Sequence, residues 1–217
     1  MNYYGRQNNS KLVPLLLLAA ALSVVFWFVW KNGRTVAIAG IPEPVQTEAS
    51  GGTTLYRDGY KVDLTYLYAY EIEALVLHTQ DYPQTDLGGK LAPRDLALGW
   101  GSVAQYNEVI DFHWGQTGRW YFWHVDSWEE LAPVGGEEEV SCQSCNNHLI
   151  AADSSVKRTI GRMRRGDHIK LKGYLIDLKA VSESGSSVFT WTSSVTRTDT
   201  GNHACELIYV TDARILK

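Results

Sequence analysis

Two cysteines at C-x-x-C spacing, Cys142 and Cys145, stand just before His148, and the remaining cysteine is Cys205. A pair at that spacing can exchange thiol for disulfide when a helix start stabilises one thiolate, usually inside a βαβ unit that the flanking residues do not supply. The set Cys142, Cys145, His148 and either Cys205 or His203 has the donor types of a tetrahedral zinc site. C-x2-C-x2-H is not a usual zinc spacing, however, and no second CxxC follows. The plainer reading is an ordinary disulfide or two thiols in a loop, with no metal and no cofactor expected.

Histidine near its ordinary pKa serves as base or ligand, so His148 is a catalytic candidate, with Ser194, Arg197 and Asp199 as further members of a hydrolase-like set. Asn147 and Trp191 are the ligand-binding candidates. Asp199-Thr200-Gly201 matches the tripeptide of aspartic proteases, but those need an apolar strand leading in and a second carboxylate to share a proton. Thr196, Arg197 and Thr198 are polar, which favours an Asx turn. Arg197 would then brace that turn by pairing with Asp199 or with Glu206. Trp100, Trp114, Trp120, Trp123, Trp128 and Trp191 suit a core better than a groove in a strand-rich domain. The chain has no P-loop, GxGxxG, HExxH or GxSxG.

The elements that must position these groups begin with an uncharged apolar run from Leu12 to Trp30. As helix it measures roughly 28 Å at about 1.5 Å per residue, close to the roughly 30 Å of a hydrocarbon core. A single transmembrane signal anchor is expected over 12–30, after a short tail at 1–11. Trp27 and Trp30 flank one end, with Tyr3 and Tyr4 beyond the other. Glycines and prolines make 31–59 read as a linker, and 60–217 has the composition of one globular domain.

Period-2 alternation predicts strands over Val62–Ile72 and Ile169–Leu175, and the aromatic run Arg119–Val125 suggests another. Val188–Arg197 and Ala204–Val210 read as a hairpin closed by Asp199–Asn202. Short helices are expected over Pro93–Leu98 and Ser154–Arg165, the second capped by Asp153 or Ser154. The fold class is α+β and strand-dominated: a small curled antiparallel sheet or partial barrel with one or two short helices, preceded by the transmembrane helix.

Arg6 and Lys11 precede the apolar run while Lys31 and Arg34 follow it, so the basic flanks barely set an orientation. The short tail favours a carboxy-terminal domain outside the cytoplasm. Beyond Arg34 the chain carries 16 basic and 24 acidic residues, a net of −8. Bulk electrostatics therefore argue against nucleic acid as a partner.

Leu91–Gly101 (LAPRDLALGWG), Asn147–Ile150 (NHLI), Gly166-Asp167 leading to Gly173–Ile176, and Trp191-Thr-Ser-Ser194 with Thr196–Gly201 and Ala204-Cys-Glu206 occur here in one order. Together they resemble a group of uncharacterised bacterial membrane-anchored proteins. That resemblance implies a bacterial inner-membrane protein with a periplasmic domain, and it implies no activity. The expected function is binding of an envelope protein or ligand without catalysis, the bilayer being met through 12–30. The competing expectation is an envelope hydrolase around His148, Trp191 and 193–199.

Overall fold

The computed structural model describes residues 12–32, 35–198 and 204–216, with the side chains of 13–26 described in the first helix. Asp199, the expected turn at 199–202, His203 and Tyr3, Tyr4, Arg6, Lys11 and Arg34 lie outside the described residues, as do the side chains of Trp27 and Trp30. Helix α1 runs Leu12–Asn32. Among the described residues, no helix is long and apolar enough to cross a membrane. The described side chains of α1 cover 13–26, or roughly 21 Å of rise.

Ten strands follow: β1 (Val45–Glu48), β2 (Gly52–Arg57), β3 (Tyr60–Asp81), β4 (Arg94–Gly99), β5 (Gly115–Thr117), β6 (Trp120–Phe122), β7 (Ser144–Ala151), β8 (His168–Ser182), β9 (Val188–Thr192) and β10 (Glu206–Ile215). The helices are α2 (Leu87–Leu91), α3 (Gly101–Tyr106), α4 (Glu137–Cys142) and α5 (Ser154–Ile160), with a 3-10 segment at Trp128–Val134. β3, β4, β7, β10 and β8 pair in that order, and β8 pairs back to β3, so the sheet closes on itself. Every pairing in this circuit is antiparallel except β7 with β10. With α5 placed between β7 and β8, this is the five-stranded Greek-key connectivity of the OB barrel. The fold is strand-dominated α+β with a curled sheet.

Long β3 explains how two cores arise from one sheet. Val62 and Leu64 face one cluster, with Ile150, Ile176, Leu178 and Leu207. Tyr70 and Ile72 face another, with Leu96, Leu98, Leu149, Leu171 and Ile208. The residues share sequence parity, so a fixed pleat would send them the same way. A bulge between Tyr66 and Tyr68 shifts the register by one and turns the later residues to the opposite face. Each fully buried aliphatic side chain contributes on the order of 1.5–3 kcal/mol.

Several expectations need correcting. Pro93–Leu98 is not a helix; β4 occupies it, because Asp95–Gly99 is buried on both faces and leaves no alternation to read. Val188–Arg197 and Ala204–Val210 do not form a hairpin with each other. β9 pairs with β8, while β10 lies between β7 and β8. The serine-rich turn at 183–187 closes β8 on β9 instead, with Ser182 N donating to Ser187 O. Residues 45–57, expected within a linker, supply β1 and β2 along β3, and Ile41 is buried in the first core.

The helix after Asp153 forms as expected but ends at Ile160. Asp153 caps it by accepting from Ser155 N and Val156 N. The carbonyls at and beyond its end are met from across the fold: Arg94 Nη1 donates to Ile160 O at 3.4 Å, Gly161 O at 3.1 Å and Met163 O at 2.9 Å while the same guanidinium pairs with Asp81.

Gly173 sits where β8 crosses β10, and a Cβ there would lie 2.0 Å from the Tyr209 carbonyl oxygen. Gly173→Ala should therefore destabilise the domain by about 2–4 kcal/mol through a forced backbone shift. Chemical denaturation of the full chain measures this, and a loss below about 0.5 kcal/mol would contradict the close approach.

Candidate functional site

A carboxylate in the middle of a buried strand organises the most polar region of the fold. Asp95, on β4, is fully buried. Its register partner on β7 is His148, and His148 in turn is the register partner of Leu207 on β10. Side chains directly opposite in a ladder share a face, so Asp95 and His148 point to the same side of the sheet. His148 Nδ1 lies 2.8 Å from Asp95 Oδ2. The approach is short but out of line for a hydrogen bond, and neither atom has another partner among the described residues.

Arg119 supplies the compensating charge. Its Nη1 donates to Asp95 Oδ1 at 2.8 Å and to Ala92 O at 2.9 Å. The residue holds a left-handed backbone, φ 75°, in the turn between β5 and β6. Both of its peptide groups are held: its N donates to Tyr82 Oη at 3.1 Å, and its carbonyl accepts from Asn146 Nδ2 at 3.0 Å. Asn146 Oδ1 accepts from Gln116 Nε2, whose own oxygen lies 2.9 Å from His78 Nδ1. The guanidinium lies over the Tyr82 ring at 3.9 Å and near Trp191 at 5.1 Å. Burial, with Asp95 beside it, pushes the Tyr82 phenol well up, so it stays a neutral hydroxyl.

Beside this network lies a cavity of about 560 Å³. Its walls include Asp86, Leu87 and Gly88 before β4, Arg119 and Trp120 from the β5–β6 turn, His148, Phe189 to Thr192 from β9, and Cys205. Trp191 packs its ring against His148 at 4.7 Å and meets Phe189 edge-on. Because Nδ1 of His148 is turned to Asp95, Nε2 is the nitrogen left to the cavity.

The sequence candidates are divided by the two faces of the sheet. His148 and Trp191 come together at the cavity. Asn147, the next residue along β7, points into the other core, where its Nδ2 meets Leu96 O and Cys145 Sγ. Ser193 Oγ donates to the Ser194 carbonyl and accepts from Leu207 N, and Ser194 Oγ meets the backbone of Thr196. Both hydroxyls bond to the chain between β9 and β10. Asp199 lies outside the described residues.

Arg197 forms a second buried cluster in the first core. It pairs with Glu206, the partner proposed from the sequence, and its Nη2 donates to Tyr70 Oη at 2.6 Å. Its guanidinium also packs near the rings of Tyr70 and Trp100. Burial pushes the Tyr70 phenol and the Cys145 thiol up, and the Glu206 charge adds to both.

The zinc set does not assemble. All three cysteines are thiols rather than disulfide-bonded. Cys142 ends α4, Cys145 and His148 lie on opposite faces of β7, and Cys205 lies against Asn146. Among the described residues, no three His, Cys, Asp or Glu side chains gather as a metal site. The tryptophans also divide: Trp100 and Trp114 are core, Trp120 and Trp128 are exposed, and Trp191 lines the cavity.

Asp95 and Arg119 were not singled out by the sequence reading. The available signal was an acid immediately before the apolar residues Leu96, Ala97 and Leu98, since a charge buried in a strand requires a partner.

No protein-family profile matches the chain, and no solved structure matches it. Among curated proteins, cytochrome P450 94A1 of Vicia sativa is 28% identical over 115 residues, which is 53% of this chain and 20% of that protein. The chain thus spans about a fifth of that relative's length. So partial a likeness assigns neither family nor activity.

Arg197→Ala should destabilise the full chain by about 2–4 kcal/mol, because it leaves the Glu206 carboxylate buried without its cation. Adding Glu206→Gln should restore part of the loss. Thermal melts decide it, and an unchanged midpoint for Arg197→Ala would contradict the structural role. Separately, Cys145 should resist maleimide in the folded chain while Cys142 reacts, read by mass spectrometry; equal labelling of the two would contradict the burial.

Proposed function

We propose that this protein is a membrane-anchored domain outside the cytoplasm that binds an envelope ligand in the cavity beside Asp95, His148 and Trp191, without catalysis. One observation carries the binding reading: a buried histidine, one nitrogen 2.8 Å from a buried carboxylate, lines a concave site of the size ligands occupy, with aromatic walls. OB barrels commonly bind between the loops that border this region, which supports the reading by analogy alone. The acidic balance beyond Arg34 disfavours nucleic acid. The uncharged run Leu12–Trp30 supports a single-pass anchor in the bacterial inner membrane, with the domain on the periplasmic side.

A second reading has one observation in its favour. Cys205 lines the same cavity as His148, so a thiol replaces the serine of the hydrolase expectation. Alkylation tests it. A tenfold slower reaction of Cys205 with iodoacetamide in His148→Gln would show an activated nucleophile, and equal rates would remove the reading.

Two measurements test the main proposal. A reporter fused after Lys217 should behave as extracytoplasmic; activity characteristic of the cytoplasm would overturn the localisation. The full chain in detergent, incubated with an envelope hydrolysate, should retain one small molecule by native mass spectrometry. Trp191→Ala should lose it and Trp128→Ala should keep it, since Trp128 lies away from the cavity. Retention of nothing by the unaltered chain would overturn the binding reading.

A further inference from the structure

The cavity's polar floor holds nitrogens that the fold leaves without hydrogen-bond partners among the described residues. Asp95 is fully buried and faces Arg119 and His148. Arg119 uses only Nη1 on Asp95 and Ala92 O; its Nη2 and Nε have no hydrogen-bond partner among the described residues. His148, with its side chain 5% exposed, likewise has no partner for Nε2 among the described residues. The other carboxylate of the wall, Asp86, accepts from Gly89 N at 2.7 Å as the cap of α2. A ligand oxygen within reach of Arg119 and His148 would meet these unused nitrogens, and a guanidinium edge suits a carboxylate.

Next to this floor stands an aromatic wall. Trp191 packs against His148 and Phe189 with the Arg119 guanidinium 5.1 Å from its ring, and Trp120 lies at the rim, 41% exposed. Such faces take flat or ring-shaped groups by stacking. Resting on the binding reading above, we infer that the ligand is a ring bearing a carboxylate, the ring laid on Trp191 and the carboxylate received by Arg119 and His148. Sugar acids and aromatic acids share this chemistry.

Calorimetric titration of the full chain in detergent separates these sources and tests the inference. The probes are N-acetylmuramic acid, N-acetylglucosamine, which has the same ring without the lactyl carboxylate, and phenylacetate. At least one acid should bind, at least tenfold more tightly than N-acetylglucosamine, and the acid that binds identifies the source. Arg119→Lys keeps a cation beside Asp95 but removes the guanidinium edge, and His148→Gln removes the imidazole. Each should weaken the acid tenfold or more while the melting temperature stays within a few degrees. Should Arg119→Lys fail to fold, His148→Gln alone carries the test. Equal binding of N-acetylglucosamine, no binding of either acid, or undiminished binding by the folded variants would overturn the assignment. A neutral molecule retained from the envelope hydrolysate would overturn this inference and leave the binding reading standing.

Discussion

The burial of one charge, Asp95, constrains most of what surrounds it. A carboxylate taken out of water costs several kcal/mol unless cations and hydrogen bonds replace its hydration. β4 cannot relieve that cost itself, being occupied by Leu96, Ala97 and Leu98. The compensation comes from elsewhere: Arg119 of the β5–β6 turn pairs with one oxygen, and His148 of β7 stands against the other. Holding Arg119 there requires a left-handed backbone, with Tyr82 and Asn146 fixing its two peptide groups. The β5–β6 hairpin is therefore tied to the barrel by a charge as well as by packing.

The barrel makes this possible through two register features. Parallel pairing of β7 with β10 places His148 beside Leu207, and antiparallel pairing of β7 with β4 places it beside Asp95. The bulge after Tyr66 lets β3 serve both cores. Arg197 and Glu206 then fasten the segment between β9 and β10 into the first core, against Tyr70. Two buried ionic clusters thus lie on opposite faces of one sheet. The first borders a cavity; the second holds the chain that leads into β10.

The alternating strands were legible in the sequence because buried and less buried residues alternate along β8 and along each half of β3, although the bulge after Tyr66 that reverses the faces of β3 leaves no mark on its spacing. Ile169, Leu171, Gly173 and Leu175 are all buried on one side of β8, as their spacing predicts. β4 was illegible for the opposite reason, since burial on both faces erases the period. The pairing of β9 was misread because two strands flanking a polar turn resemble a hairpin locally, whereas the partner is fixed by a long-range ladder. At the site, His148 and Trp191 stood out by residue type. Asp95 and Arg119 did not, because their meeting depends on a ladder register and a left-handed turn that no local spacing encodes. The Arg197–Glu206 pair was legible, as an acid among apolar residues beside a nearby arginine.

The central claim is that His148, with Nδ1 against Asp95, presents Nε2 to a ligand in the cavity. Nitrogen-15 NMR of the imidazole, assigned by comparison with His148→Gln, tests it most directly. On titration with the acid that binds, the Nε2 resonance should move while Nδ1 keeps its position against Asp95. Saturable binding with both His148 nitrogens unmoved would contradict the account.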